Sequence, residues 1–152
     1  MSKNNTPSFT WDEEKGVATC TLQDGNNYFV GIAQCCETDR DMQSEKTGCD
    51  IALRRAEIKY YIHLRDNEIK PGLKALQQLY SNMVISKNYN KKSYEARMLY
   101  RRIKQFKNDL DIINEMLTDA KQELKTVIEQ KDKFYRRIRA NRANAISQDG
   151  QN

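Results

Sequence analysis

The sequence predicts an α+β protein in which a small N-terminal antiparallel β-meander is followed by a long antiparallel helical hairpin with a coiled-coil seam. Three observations carry that prediction. Residues 9–36 alternate β-formers around turn signals, residues 51–83 place apolar side chains at helical spacing, and residues 96–138 alternate steps of three and four. The composition agrees, since 152 residues that are 38% hydrophobic and 31% charged are too polar for one thick core. Helices that bury a single stripe need few apolar residues per turn, which also fits a mean hydropathy of -0.89.

Residues 1–8 read as a flexible N-terminus, and 9–46 as the meander with a polar connection. Phe9 and Trp11 precede a DEEKG turn, then Val17 to Leu22 and Tyr28 to Cys35 alternate as strands. Asp24-Gly25 between them is a hairpin signal, and Asn26 and Asn27 also tolerate positive φ. A two- or three-stranded sheet is marginal alone, so the helix that follows is expected to cover one face. Thr47-x-x-Asp50 resembles a capping box, which puts the first helix at 47–85. Its stripe runs through Ile51, Ile58, Ile62, Ile69, Leu73, Leu76, Tyr80 and Met83, with a kink or break at Pro71-Gly72 because proline lacks a backbone donor.

Residues 86–91 form the turn, and 92–142 the long C-terminal helix, leaving 143–152 as a flexible tail. The seam of that helix is Ala96, Leu99, Ile103, Phe106, Leu110, Ile113, Leu117, Ala120, Leu124, Val127, Lys131, Phe134 and Ile138. Folding back at about residue 88 sets Phe106 opposite Pro71-Gly72, where its ring fills the gap. Ile112, Met116, Ile128 and Tyr135 lie off the seam, so a further packing partner is expected and a homo-oligomer is the natural outcome.

The charge distribution says more than the net +5. Residues 87–106 carry seven Lys/Arg against one acid and residues 131–142 six against one, so the rest of the chain is mildly acidic. No run approaches the roughly 20 apolar residues needed to span a bilayer, which argues against a membrane protein. The start MSKNNTPSFT lacks the apolar core of a secretory signal, so a cytoplasmic location is expected. Cys20, Cys35, Cys36 and Cys49 have no metal-ligand spacing and read as small buried side chains in a reducing compartment, and the single histidine, His63, as structural or surface. Neither a metal nor a cofactor is expected. With no Gly-rich phosphate loop, serine elbow or HExxH, a catalytic role is the least favoured.

The two basic patches are the functional candidates because aromatics interleave with the cations. Tyr89, Tyr94 and Tyr100 alternate with Lys91, Lys92, Arg97, Arg101 and Arg102; Phe134 and Tyr135 sit among Lys133, Arg136, Arg137, Arg139 and Arg142. Arg97 and Arg101, like Lys133 and Arg137, are one helical turn apart, so each pair can grip one phosphate while an aromatic face stacks on a base. The competing reading is a solvated helix face, with 131–142 lying near the acidic Glu37, Asp39, Asp41 and Glu45, and with Phe106 and Phe134 in the seam. A nucleotide or a nucleic acid suits the chemistry; a coiled-coil nucleic-acid-binding or scaffold protein is the alternative. The patches are about 60 Å apart along one helix, so one subunit cannot unite them, whereas an antiparallel dimer could.

The segment GNNYFVGIAQCCETDRDMQSEKTGCDIALRRAEIKYY carries a strand, a Cys-rich polar bend, Gly48, Ile51-Ala52 and Arg55-Ala56. Joined to a helical hairpin, it resembles the Thoeris anti-defence type-one proteins of phages, by motif over about residues 15–61 and by architecture elsewhere. The resemblance implies a non-catalytic homo-oligomer that sequesters glycocyclic ADP-ribose or another small cyclic nucleotide in the host bacterial cytoplasm, between chains, without cleaving it. It further implies arginines for the pyrophosphate, with an aromatic ring and an amide for the base. The best matches are Arg97, Arg101, Lys133, Arg136 and Arg137 for phosphate, and Tyr94, Phe106, Asn114, Phe134 and Tyr135 for base or ribose.

Overall fold

A computed structural model describes residues 6–86 and 88–149. It has the expected α+β architecture: strands β1 (Ser8–Asp12), β2 (Val17–Asp24) and β3 (Asn27–Gln34), then helices α1 (Glu45–His63), α2 (Lys70–Ile85) and α3 (Tyr94–Asp149). The chain forms two compact units, one comprising the chain up to Lys59 with the stretch from Ala120 onward, the other Tyr60–Asp119.

In the first unit the strands form an antiparallel meander in the order β1-β2-β3. The pairing Asp24↔Asn27 leaves Gly25-Asn26 as a two-residue turn. Gly25 has φ 58° and no described non-glycine residue has positive φ, so only the first turn position is left-handed, as in a type II′ rather than a type I′ hairpin. One face of the sheet carries the buried Ala18, Cys20 and Leu22, paired with Ala33, Gly31 and Phe29. Helix α1 lies on this face at unusually close range. A Cβ on Gly31 would run into the carbonyl oxygen of Ala52 and the amide nitrogen of Ala56, and both alanines are fully buried. At Gly48 a Cβ would stand 3.2 Å from the Trp11 ring.

The free edge of β3 is also managed by α1. The carbonyls of Val30 and Ile32 accept hydrogen bonds from Lys59 Nζ and Arg55 Nη1, each at 2.6 Å. Two cations thus occupy acceptors that a foreign strand would otherwise use.

The connection after β3 is more ordered than its polarity implies, with a 3₁₀ turn over Glu37–Met42. Helix α1 begins at Glu45, not 47. The cap is Ser44, whose Oγ accepts from the Thr47 amide at 3.3 Å, in place of the Thr47-x-x-Asp50 box. Asp39, 7% exposed, pairs with Arg139 of α3, and Asp41 pairs with Arg142 at 2.5 Å. Arg54 ties α1 to Glu123 of α3 at 2.9 Å.

Helical structure does not break at Pro71. Residues Leu64–Ile69 form a π-helical segment in which the Lys70 amide reaches back five residues to the Arg65 carbonyl. Widening the turn just before the proline relieves the clash that its ring would make in a regular α-helix, and α2 continues without a loop. In the second unit the ring of Phe106 fills the space left by Gly72, as the fold-back predicted. The α2 stripe of Ile69, Leu73, Leu76, Tyr80 and Met83 is half-buried.

Helix α3 starts at Tyr94, capped by Ser93 Oγ through the Ala96 amide at 3.2 Å. It runs on to Asp149, so residues 143–149 are helical rather than a loose tail. Of the expected flexible start at 1–8, Ser8 is already in β1; residues 1–5 and 150–152 lie outside the described residues. The seam runs inward through Lys131, then shifts. Tyr135 is 7% exposed and Phe134 is 54% exposed, the reverse of the predicted assignment. A helix turns every 3.6 residues, so a seam stepping at 3.5 drifts, and an extra step of four from Lys131 to Tyr135 restores the inward face.

Because backbone atoms rather than flexible side chains meet Gly31, Gly31→Ala is expected to destabilise the protein by about 1–3 kcal/mol in urea denaturation. An unchanged midpoint would show that the sheet and α1 are less tightly apposed.

Candidate functional site

The first basic patch is drawn together by the turn between α2 and α3. Tyr89 donates its amide to the Ser86 carbonyl at 3.0 Å, and the Lys92 amide donates to Asn90 Oδ1 at 2.9 Å. Folding here brings Tyr89 beside Tyr80: the hydroxyls are 3.2 Å apart and the rings meet edge-on with centroids 6.5 Å apart. Hydrogen bonding to Tyr80 is the largest of the effects that hold the Tyr89 hydroxyl above its ordinary pKa. The Tyr89 hydroxyl therefore keeps its proton at pH 7 and can donate it either to Tyr80 or to a further acceptor.

These rings border an open pocket of about 420 Å³ lined by Tyr80, Tyr89, Lys91, Ala96, Arg97, Tyr100 and Arg101. Among the described residues three cations and three phenol rings line it, and no carboxylate does. Arg97 and Arg101 project from one helical turn of α3, and the Tyr100 ring is 59% exposed. The arrangement can present two guanidinium forks to a phosphate or pyrophosphate and an aromatic face to a base.

Of the residues matched to phosphate, base or ribose, Arg97 and Arg101 line this pocket, together with Tyr89, Lys91 and Tyr100 of the same basic patch. Tyr94 is 67% exposed outside its lining. Phe106 is half-buried against Gly72, with the Arg102 guanidinium 5.7 Å from its ring centre. Asn114 is exposed on α3, where its backbone carbonyl accepts from Thr118 Oγ1. Tyr80 was readable only as a stripe residue; the turn at 86–91, which places it level with Ala96, was the signal that would have found it.

The second patch is divided. Arg139 and Arg142 are engaged by the acidic 3₁₀ turn, the arrangement the competing reading anticipated. Lys133, Arg136 and Arg137 are exposed, and none lines a described cavity. Phe134 borders a groove of about 440 Å³ with Met42, Lys46, Val127 and Lys131. Tyr135 belongs to the packing: its hydroxyl lies 3.9 Å from Cys35 Sγ, and burial is the main cause pushing its pKa up to about 12.

All four cysteines are free thiols. Cys20 is buried and Cys35 and Cys49 half-buried, but Cys36 is exposed, contrary to the expectation for all four. Hydrogen bonds from the Thr38 hydroxyl, at 3.4 Å, and the Thr38 amide lower the Cys36 pKa, whereas burial raises those of Cys20 and Cys49. Among the described residues no group of three or more His, Cys, Asp and Glu is placed to hold a metal ion, and no helix is long and apolar enough to cross a membrane. Comparison with protein-family models, curated proteins and solved structures gives no match.

Two outcomes follow from these environments. With a chromogenic disulfide at pH 7.5, one thiol is expected to react well ahead of the other three, and Cys36→Ser removes that fast phase; a fast phase that persists would contradict the assignment. Above pH 10 stability is expected to fall, because the folded state holds the Tyr135 proton more tightly than the unfolded chain does. The loss runs from about pH 10 to the folded value of about 12, and Tyr135→Phe removes this component from the alkaline limb of a denaturation profile.

Proposed function

We propose that this protein binds a small phosphate-bearing nucleotide in the tyrosine and arginine pocket at the start of α3, and acts by sequestering it as a homo-oligomer rather than by cleaving it. The observation that carries the reading is the lining: Lys91, Arg97 and Arg101 with three tyrosines, and, among the described residues, no acid to repel a phosphate. Arginines spaced one turn apart on a packed helix are pre-organised, so little ordering cost opposes binding. Among the described residues the lining holds no histidine, cysteine or carboxylate, the side chains that most often serve as general base, and this supports holding over turnover.

The resemblance to the Thoeris anti-defence type-one proteins adds a ligand and a role: glycocyclic ADP-ribose or a related cyclic nucleotide, held away from its receptor in the cytoplasm of a phage's host. The residues that carry the resemblance are the ones that pack the sheet on α1. Gly48, Ala52 and Ala56 make that contact and Arg55 caps the β3 edge, so their support is for the fold rather than the ligand.

Titration calorimetry with glycocyclic ADP-ribose, linear ADP-ribose, NAD and a DNA duplex tests the reading. Heat is expected with a nucleotide, and Arg97→Ala or Arg101→Ala is expected to weaken binding about tenfold or more, the scale of a lost charged hydrogen bond. Binding of the duplex alone, falling steeply between about 50 and 200 mM salt, would establish the nucleic-acid alternative instead. No heat with any nucleotide rejects the proposal.

A further inference from the structure

Helix α3 carries a second seam in the unit Tyr60–Asp119. Besides the buried line through Ala96, Ile103, Ile113 and Leu117, the positions Met98, Arg102, Gln105, Asp109, Ile112 and Met116 follow one another in alternating steps of four and three. They share a face about a third of the way round the helix from the buried line. Met98 is 44%, Ile112 47% and Met116 41% exposed. The two ends of this face are apolar, Met98 at one and Ile112 with Met116 at the other, and Arg102, Gln105 and Asp109 lie between them.

Charge along the same stretch is segregated. Residues 94–108 carry five Lys/Arg and one Glu, whereas residues 109–119 carry four acids and no base. A second copy laid parallel would set like charge against like. Laid antiparallel, it sets the basic block of each copy against the acidic block of the other.

From this complementarity we infer that two copies of the chain pair antiparallel through the Met98–Met116 face of α3, about a two-fold axis level with Lys107. In that register Met98 packs on Met116 of the second copy at both ends. Gln105 meets Asp109 of the second copy and can donate its amide to the carboxylate. The Ile112 side chain lies under the aliphatic stem of Arg102 of the second copy. Every layer is repeated by the symmetry, as an isologous interface requires. Arg97 and Arg101 fall level with residues 117 and 113 of the second copy, so this pairing does not unite the two basic patches. It gives the homo-oligomer proposed above a surface, and it does not depend on a nucleotide.

The full-length protein without ligand tests it by sedimentation equilibrium and cross-linking. A dimer is expected at micromolar concentration, with Ile112→Lys and Met116→Lys together, which set new cations against the basic block of the second copy, converting it to a monomer that keeps the circular dichroism of the wild type. In the Met98→Cys, Met116→Cys double variant, oxidation is expected to join residue 98 of one copy to residue 116 of the other, identified by peptide mass. Neither single variant is expected to form a disulfide between the two substituted positions. A monomeric wild type overturns the inference, as does a 98-to-98 cross-link, which would mean parallel pairing. An oligomer unaffected by the double lysine variant rejects this surface while leaving oligomerisation itself standing.

Discussion

The contact between Gly31 and the backbone of Ala52 and Ala56 is the constraint on which the first unit depends. A small meander is stable only when its apolar face is packed, and the inner face here is built mainly from small side chains, Ala18, Cys20 and Ala33. Such a face gains from a helix only if the helix comes very close. Glycine in the strand and alanines in the helix allow that approach. Once α1 is so near, Arg55 and Lys59 reach the outer carbonyls of β3, so one packing choice covers the sheet and closes its edge.

The C-terminal basic patch is spent in part on the connection that leads from the sheet into α1. The short 3₁₀ turn between β3 and α1 carries Asp39 and Asp41, and the end of α3 supplies Arg139 and Arg142 to them. A buried acid such as Asp39 needs a partner, because an unpaired charge there carries a large desolvation cost. Tyr135 packs beside it and Phe134 faces outward. A cluster that looks uniform in sequence is thus part structural and part solvated. The first patch differs because the turn around Tyr89 gathers cations and rings into one concavity with no acid among its described lining residues.

Much of the fold was legible from local chemistry. Strand alternation, the Asp-Gly turn and the helical stripe of α2 are short-range signals, and each element forms where its pattern lies. Even the meeting of Phe106 with Gly72 followed from counting residues on either side of the turn. The discrepancies share a cause: each depends on a choice between near-equivalent neighbours. Ser44 and Thr47 are both acceptable caps, Phe134 and Tyr135 both satisfy a loose seam, and Pro71 can be accommodated by a break or by a wider turn upstream. The candidate site was half legible. Arg97 and Arg101 announce themselves by spacing, whereas Tyr80 enters only because the chain folds back.

By itself, then, the sequence determined the class of the fold, the positions of its strands and helices, and the concentration of basic and aromatic residues in two stretches, because periodicity and composition are properties of the chain read in order. Only the tertiary structure decided which of those residues share a cavity, which are neutralised by acids from the 3₁₀ turn, and which aromatic is buried. Those outcomes depend on distances between residues far apart in the chain, and a shift of a single residue in a helix moves a side chain by about 100° and so from core to surface.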